Sequence, residues 1–216
     1  MLLVVLFSPI TAVVIAATAL GGAMAVPQAT KIVRTGRIDG ISGVWAAIST
    51  TVNAWWGVYA IGVADWAIFP VSAISVTAYL VIAVAVLRHT HRSRLRVAAA
   101  MVAASIAIAS VPLLALAIGG WVAAGLVLGA LYGIQLAPAV VAVYRAHDVS
   151  GVSAATWVLA WAEAVLWGVY GFARVDAGIV ALAVTGTAMS SLVLVRLFAR
   201  RPRRSADGIA TAFAPA

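Results

Sequence analysis

Two stretches of this chain match at a constant offset of 111 residues, with no gap anywhere. Pro27 answers to Pro138, Arg34 to Arg145, Gly40 to Gly151 and Ser42 to Ser153. WGVY at Trp56 to Tyr59 recurs at Trp167 to Tyr170, and Asp65 recurs as Asp176. A duplication on this scale means that one structural unit is built twice, so it constrains the architecture before any single element is considered.

The repeated unit belongs in a bilayer. Hydrophobic residues make up 65% of the 216-residue chain and charged residues 9%, against roughly 25% charge in soluble domains. Stretches long enough to cross a membrane, about 20 residues each, fall near Leu2 to Val33, Ile41 to Gly62, Trp66 to Leu87, Val97 to Ile118, Trp121 to Tyr144, Val152 to Phe172 and Ala177 to Phe198. They predict an all-α membrane protein with seven transmembrane helices.

Basic residues give an independent reading, because Lys and Arg gather in cytoplasmic loops. With the first loop inside, Lys31, Arg34, Arg37, Arg88, Arg92, Arg94, Arg96, Arg145, Arg196, Arg200, Arg201, Arg203 and Arg204 fall on one side, and only Arg174 falls outside. Thirteen of the fourteen basic residues then share a side, with the N-terminus outside and the C-terminus cytoplasmic. The net charge of +8 is thereby a topological signal, and no nucleic-acid partner is needed to explain it. The Arg-rich tail is placed to touch anionic lipid. Ala23-Met24-Ala25 resembles a signal-peptidase site, but no basic n-region precedes it, so the first helix is expected to be retained. One Lys against thirteen Arg, with abundant Ala, suggests a GC-rich bacterial genome and hence the bacterial plasma membrane.

There are no cysteines, which excludes thiol chemistry and disulfides. His89, His91 and His147 sit in basic loops and form no ligand cluster. With no duplicated carboxylate or histidine pair ready for acid–base work, an enzyme, a metal and a cofactor are not expected.

Each copy spans three helices, and the stretch Val97 to Ile118 has no counterpart. Two three-helix units joined directly would be inverted relative to each other; one extra helix makes them parallel, related by an axis along the membrane normal. The expected organisation is a first repeat over 1–90, a linker with helix 4 over 91–118, a second repeat over 119–198 and a basic tail over 199–216.

Within this frame VPQATKIVRTGRIDGIS, Val26 to Ser42, resembles the PQ-loop signature: a Pro-Gln near the cytoplasmic end of the first helix, a basic turn and a GIS-type helix start. Together with the Trp and Tyr late in the next helix, the chain is similar to the SWEET and SemiSWEET sugar transporters over nearly its whole length, in their 3+1+3 order. The second copy has Pro138-Ala139 in place of Pro-Gln. The resemblance implies a small-solute transporter working by alternating access in the bilayer, and it leaves homo-oligomerisation open. Pro27, Gln28 and Pro138 are the expected hinge, since an internal proline removes a backbone hydrogen bond and kinks a helix. The further prolines of eukaryotic members in helices 2 and 6 are absent here.

The resemblance places Trp56 and Trp167 in a central cavity, where an indole stacks on a sugar ring. Trp66 and Trp121 are read instead as interfacial belt residues. One turn deeper the copies diverge: Glu163 shares the face of Trp167, and its equivalent is Val52, beside Asn53. A carboxyl near the midplane costs several kcal/mol unless paired, hydrated or protonated, and marks a functional site by default; a structural bond between helices is the bland alternative. Asn53 and Gln135 are further polar candidates. The family's pocket Asn on the third helix is missing from both copies, where Ser72, Ser75, Thr185 and Thr187 are the nearest polar groups. Small hydroxyls offer fewer donors, a departure from the pattern for a typical hexose.

Tyr59 with Asp65, and Tyr170 with Arg174 and Asp176, resemble the extracellular gate of SemiSWEET proteins. Arg174 is expected to pair with Asp65 or Asp176 when the outside is closed; its own equivalent is Val63. Solvated loop charges are the plain alternative. Three functions follow: facilitative transport of a small polar solute, with a sugar foremost; proton-coupled transport of an amino acid or other small solute using Glu163; or a non-transporting receptor or assembly factor on the same fold. The chemistry particular to the protein is expected in the second copy.

Overall fold

The structure, a computed structural model, describes residues 8–36, 38, 41–149 and 152–199. Arg37, Gly40, Gly151, the first seven residues and the basic tail beyond Ala199 lie outside them. Six helices are formed: α1 Pro9–Thr35, α2 Gly43–Gly62, α3 Phe69–His89, α4 Arg94–Arg145, α5 Ala154–Arg174 and α6 Ala177–Ala199. The described residues contain no strand. Large apolar side chains such as Ile15, Ile61, Ile106, Val122, Val184 and Val195 are exposed around the outside of the bundle, which is the surface of an integral membrane protein.

The two spans expected between Val97 and Tyr144 are one 52-residue element, α4, with a break in it. Gly119 (φ −131°, ψ 16°) and Gly120 (φ 65°, ψ −160°) leave helical geometry, and the second combination is open essentially to glycine alone. A first arm therefore ends at Ile118 and a second starts at Trp121. The break falls between the spans Val97 to Ile118 and Trp121 to Tyr144 expected there, inside one of the six elements. Four of them, α1, α3, α4 and α6, are long and apolar enough to cross a membrane. The other two carry Ser49, Thr50, Thr51 and Asn53 on α2 and Glu163 on α5, which lowers their hydropathy.

Local chemistry repeats with the sequence. Ser42 and Ser153 cap α2 and α5 by accepting from the amides of Trp45 (3.2 Å) and Thr156 (3.3 Å), satisfying a donor that the first helical turn leaves free. At the other end of these helices Ala64 (φ 53°) and Val175 (φ 56°) adopt the left-handed conformation, which costs a residue with a Cβ roughly 1–2 kcal/mol. Asp65 and Asp176 follow them directly. Their amides bond Ala60 O (2.8 Å) and Gly171 O (2.9 Å), and their carboxylates accept from the amides of Ala67 (3.2 Å) and Ile179 (3.0 Å). The duplicated strained turn fixes where each aspartate points.

The helices close into a ring. α3 lies between α1 and α2, and α6 lies between the second arm of α4 and α5. The copies join where α1 packs on α5 and α2 packs on α4. Equivalent contacts therefore occur twice around the ring, as a pseudo-two-fold arrangement requires. The first arm stands outside the ring, and Val97 and Met101 pack over Gly43 and Val86.

The apolar core is shared at one end of the ring and divided at the other. Val52, Trp56, Tyr59 and Ile68 of the first copy and Leu128, Trp167, Tyr170 and Ile179 of the second form one buried cluster. At the opposite, basic end the first copy has its own cluster around Ile32, Ile82, Val86 and Met101. The second copy has a separate cluster of Val143, Val193 and Leu197.

Pro27 and Pro138 do not interrupt their helices. α1 and the second arm of α4 remain helical through them; within α4 the break is at Gly119 and Gly120. Gln28 lies in α1.

Candidate functional site

Seven of the eight residues expected in the pocket meet in one cavity inside the ring. Trp56, Asn53, Ser72 and Ser75 of the first copy face Gln135, Glu163 and Trp167 of the second around a volume of about 80 Å³. Thr185 is not part of the lining. Its hydroxyl is turned to Gly129 O (2.8 Å), Ala181 O (3.0 Å) and Leu182 O (3.0 Å), because α6 approaches α4 closely at Gly129.

The lining obeys the 111-residue offset. Five repeat positions contribute from both copies: Gly21 with Tyr132, Met24 with Gln135, Trp56 with Trp167, Ile68 with Ile179 and Val71 with Leu182. The other five contribute once, as Asn53, Ser72, Ser75, Tyr79 and Glu163, whose equivalents are Ala164, Ala183, Gly186, Ser190 and Val52. All fifteen lining residues thereby fall on ten repeat positions, and the cavity lies between the two copies. The polar groups come from both copies: neutral ones on α2 and α3 from the first, and a phenol, an amide and the carboxyl from the second.

Where the copies differ, they compensate in volume. A Cβ on Gly21 would stand 2.6 Å from Glu163 Oε1 and 2.9 Å from Val71, so the absence of a side chain there makes room for the carboxyl. In the second copy the large Tyr132 occupies the position of Gly21, and a Cβ on Gly186 would stand 2.8 Å from its ring and 3.0 Å from Ala164. Gly21, Met24, Tyr79 and Tyr132 escaped the sequence reading. The offset pairs Gly21 with Tyr132, and that signal of exchanged volume was available in the sequence.

Glu163 sets a buried carboxyl in the cavity lining one helical turn before Trp167. Val52 offers no such group to Trp56, whose buried Nε1 donor has no partner. Gln135 Oε1 is likewise buried without a partner. Asn53 donates from Nδ2 to Ser49 O (2.8 Å) and Ser72 from its hydroxyl to Ile68 O (3.2 Å). The cavity thus holds one unsatisfied donor, one unsatisfied acceptor and a carboxyl, and no basic side chain lines it. Buried orphans of this kind cost free energy unless a ligand or water meets them.

Beyond the tryptophans, the expected gate residues come together across the copies. The Tyr59 hydroxyl donates to both carboxylate oxygens of Asp176 (2.9 Å each). Reciprocally, the Tyr170 hydroxyl donates to Asp65 (2.6 and 2.7 Å). Each tyrosine also packs edge-on against the tryptophan of its own copy, at 5.5 Å for Trp56 and 5.8 Å for Trp167. Arg174 lies 3.7 Å from Asp65 and is more than half exposed. Trp121, expected as a belt residue, instead covers Gly62 and meets the Tyr59 ring at 6.1 Å. Trp66 is well exposed, as a belt residue should be.

No protein-family model matches the chain, and no curated protein matches it. Among solved structures, a eukaryotic SWEET transporter determined at 3.7 Å resolution superposes with a TM-score of 0.66. It is 15% identical and aligned over 89% of this chain and 98% of its own. The class defined by the comparison is a helical membrane protein. Within it, the chain shares the fold of that SWEET transporter.

Proposed function

We propose that this protein carries a small polar solute across the membrane by alternating access, as a facilitative transporter, with a sugar the first class to test. One observation carries the reading: a cavity between the two copies is sealed at one end by reciprocal Tyr–Asp pairs, while at the other end the copies keep separate cores. Rocking one copy against the other would exchange the sealed end. The SWEET-like fold supports it, and so do the unsatisfied Trp56 donor and Gln135 acceptor facing the cavity. At about 80 Å³ the cavity is below the roughly 300–1,000 Å³ of common ligand pockets, so a sugar requires the copies to part.

In this reading seven spans form two parallel three-helix repeats, 1–90 and 119–198, with 91–118 as linker. The Tyr–Asp end faces outward and the basic end faces the cytoplasm. Pro27, Gln28 and Pro138 flex rather than break their helices, and Tyr59, Asp65, Tyr170, Arg174 and Asp176 form the outer gate. The test is uptake of a panel of sugars, polyols and amino acids by liposomes holding the purified protein. If no member is transported or bound, the receptor or assembly-factor reading takes its place.

Glu163 favours a second reading, proton-coupled uptake of an amino acid or another small solute, because it is the single carboxyl in a cavity without a basic side chain. Uptake with and without a pH gradient, in wild type and Glu163→Gln, separates the two. Uniport predicts indifference to the gradient; coupling predicts a response that the glutamine variant loses.

A further inference from the structure

A basic concavity lies away from the central cavity, where the first turns of α2 and α4 meet the end of α3. We propose that this groove binds the phosphate of an anionic phospholipid headgroup. Its volume is about 900 Å³, and His91, Arg92 and Arg96 line it together with the hydroxyl-bearing Thr90 and Ser93. No acidic residue among the described ones lines it. Over the whole first-copy end the sequence sets Lys31, Arg34, Arg37, Arg88, Arg92, Arg94 and Arg96 against Asp39, seven basic residues to one acidic.

The groove is built for an anion as well as charged for one. Arg94 is turned away, donating to Arg88 O (3.1 Å), whereas Arg92 and Arg96 are exposed and make no side-chain hydrogen bond or ion pair within the described structure. Gly43 and Val44 bring the first turn of α2 to the groove, and Ser93, Arg96 and Val97 bring that of α4. Both helix starts lack an acidic residue, and the Ser93 side chain does not cap its own helix. The amides of the first turn of α4, which Ser93 leaves uncapped, and the positive ends of both helix dipoles therefore add to the guanidinium groups.

Apart from Ser42, which caps α2, the remainder of the lining is apolar, with Val97 and Ala100 leading toward the exposed hydrophobic face of the first arm. A soluble phosphate has no use for such a wall, while a lipid phosphate arrives with acyl chains that do. Basic pockets between membrane helices at the cytoplasmic side take anionic headgroups for these reasons. The groove depends on the first arm, which the second copy lacks, so one site is expected per chain.

Native mass spectrometry of the detergent-purified full chain, titrated with short-chain phosphatidylglycerol, phosphatidylcholine or inorganic phosphate, tests the site. One tightly held phosphatidylglycerol is expected, with phosphatidylcholine and inorganic phosphate at least tenfold weaker. The double variant Arg92→Ala/Arg96→Ala should lose roughly tenfold or more in phosphatidylglycerol affinity, and Arg92→Lys/Arg96→Lys should keep most of it. Arg145→Ala, at the same end of the second copy, should bind like wild type. Wild-type binding by the double alanine variant, an equal loss in Arg145→Ala, or equal binding of inorganic phosphate would each overturn the proposal.

Discussion

Trp56 and Trp167 occupy one repeat position, yet a single exchange four residues earlier gives them different work. Glu163 sets a buried carboxyl one turn before Trp167, whereas Val52 stands at that position in the first copy and the buried Trp56 Nε1 has no partner among the described residues. Trp56→Phe should therefore cost little stability, since no internal hydrogen bond is lost and the ring still packs on Tyr59. Trp167→Phe removes the indole N–H one turn from the buried Glu163 carboxyl and should cost about 1–3 kcal/mol more. Thermal unfolding of the two purified variants measures the difference; equal losses would show that the Trp167 N–H does nothing for the Glu163 carboxyl.

The second copy packs its outer helices closer than the first does, and glycine is the reason. A Cβ on Gly129 would stand 2.6 Å from the Leu182 amide nitrogen, and one on Gly178 would stand 2.6 Å from Gly125 Cα. Backbone atoms cannot step aside as a side chain can. Their first-copy equivalents are Thr18, Ala67 and Val14, so α1 and α3 have no such seam. Small residues let membrane helices approach, and overpacking costs about 1–3 kcal/mol. Gly129→Ala should lower the unfolding temperature markedly. Gly22→Ala, whose Cβ would meet only Ile74 at 3.6 Å, should be neutral or slightly stabilising; similar behaviour of the two would mean that the α4 and α6 backbones are not in contact. This seam also marks where sequence reading stops. Thr185 has the right helix and the right polarity for the cavity, but the close approach at Gly129 draws its hydroxyl to a carbonyl. The offset did identify Trp56, Trp167, Glu163 and both Tyr–Asp sets, because these are duplicated or conspicuously unduplicated. Tyr79 and Tyr132 were missed because their roles depend on which helix faces lie opposite, and a linear comparison does not contain that.

At the scale of the molecule, two equivalent bonds hold one interface. Tyr59 to Asp176 and Tyr170 to Asp65 both cross between the copies, so under the proposed alternating access they bias the same opening of this end. Each hydrogen bond to a charged group is worth about 1.5–3 kcal/mol at most, and every 1.4 kcal/mol changes a population ratio about tenfold. Tyr59→Phe and Tyr170→Phe should each move the closed-to-open ratio by roughly tenfold toward open. If the closure is a two-state event, the logarithms add, and the double variant should move it by roughly a hundredfold. Arg174→Ala should shift it least, since an exposed charge at 3.7 Å contributes little. The absence of cysteine makes the measurement direct. Spin labels on Ala64→Cys and Val175→Cys, equivalent turns at this end, report its width without background. The separation should lengthen in the order Arg174→Ala, either tyrosine variant, then the double variant. An unaltered distance distribution in the double variant would mean that the apolar cluster of Trp56, Trp167, Leu128 and Ile179 closes this end without help from the Tyr–Asp pairs.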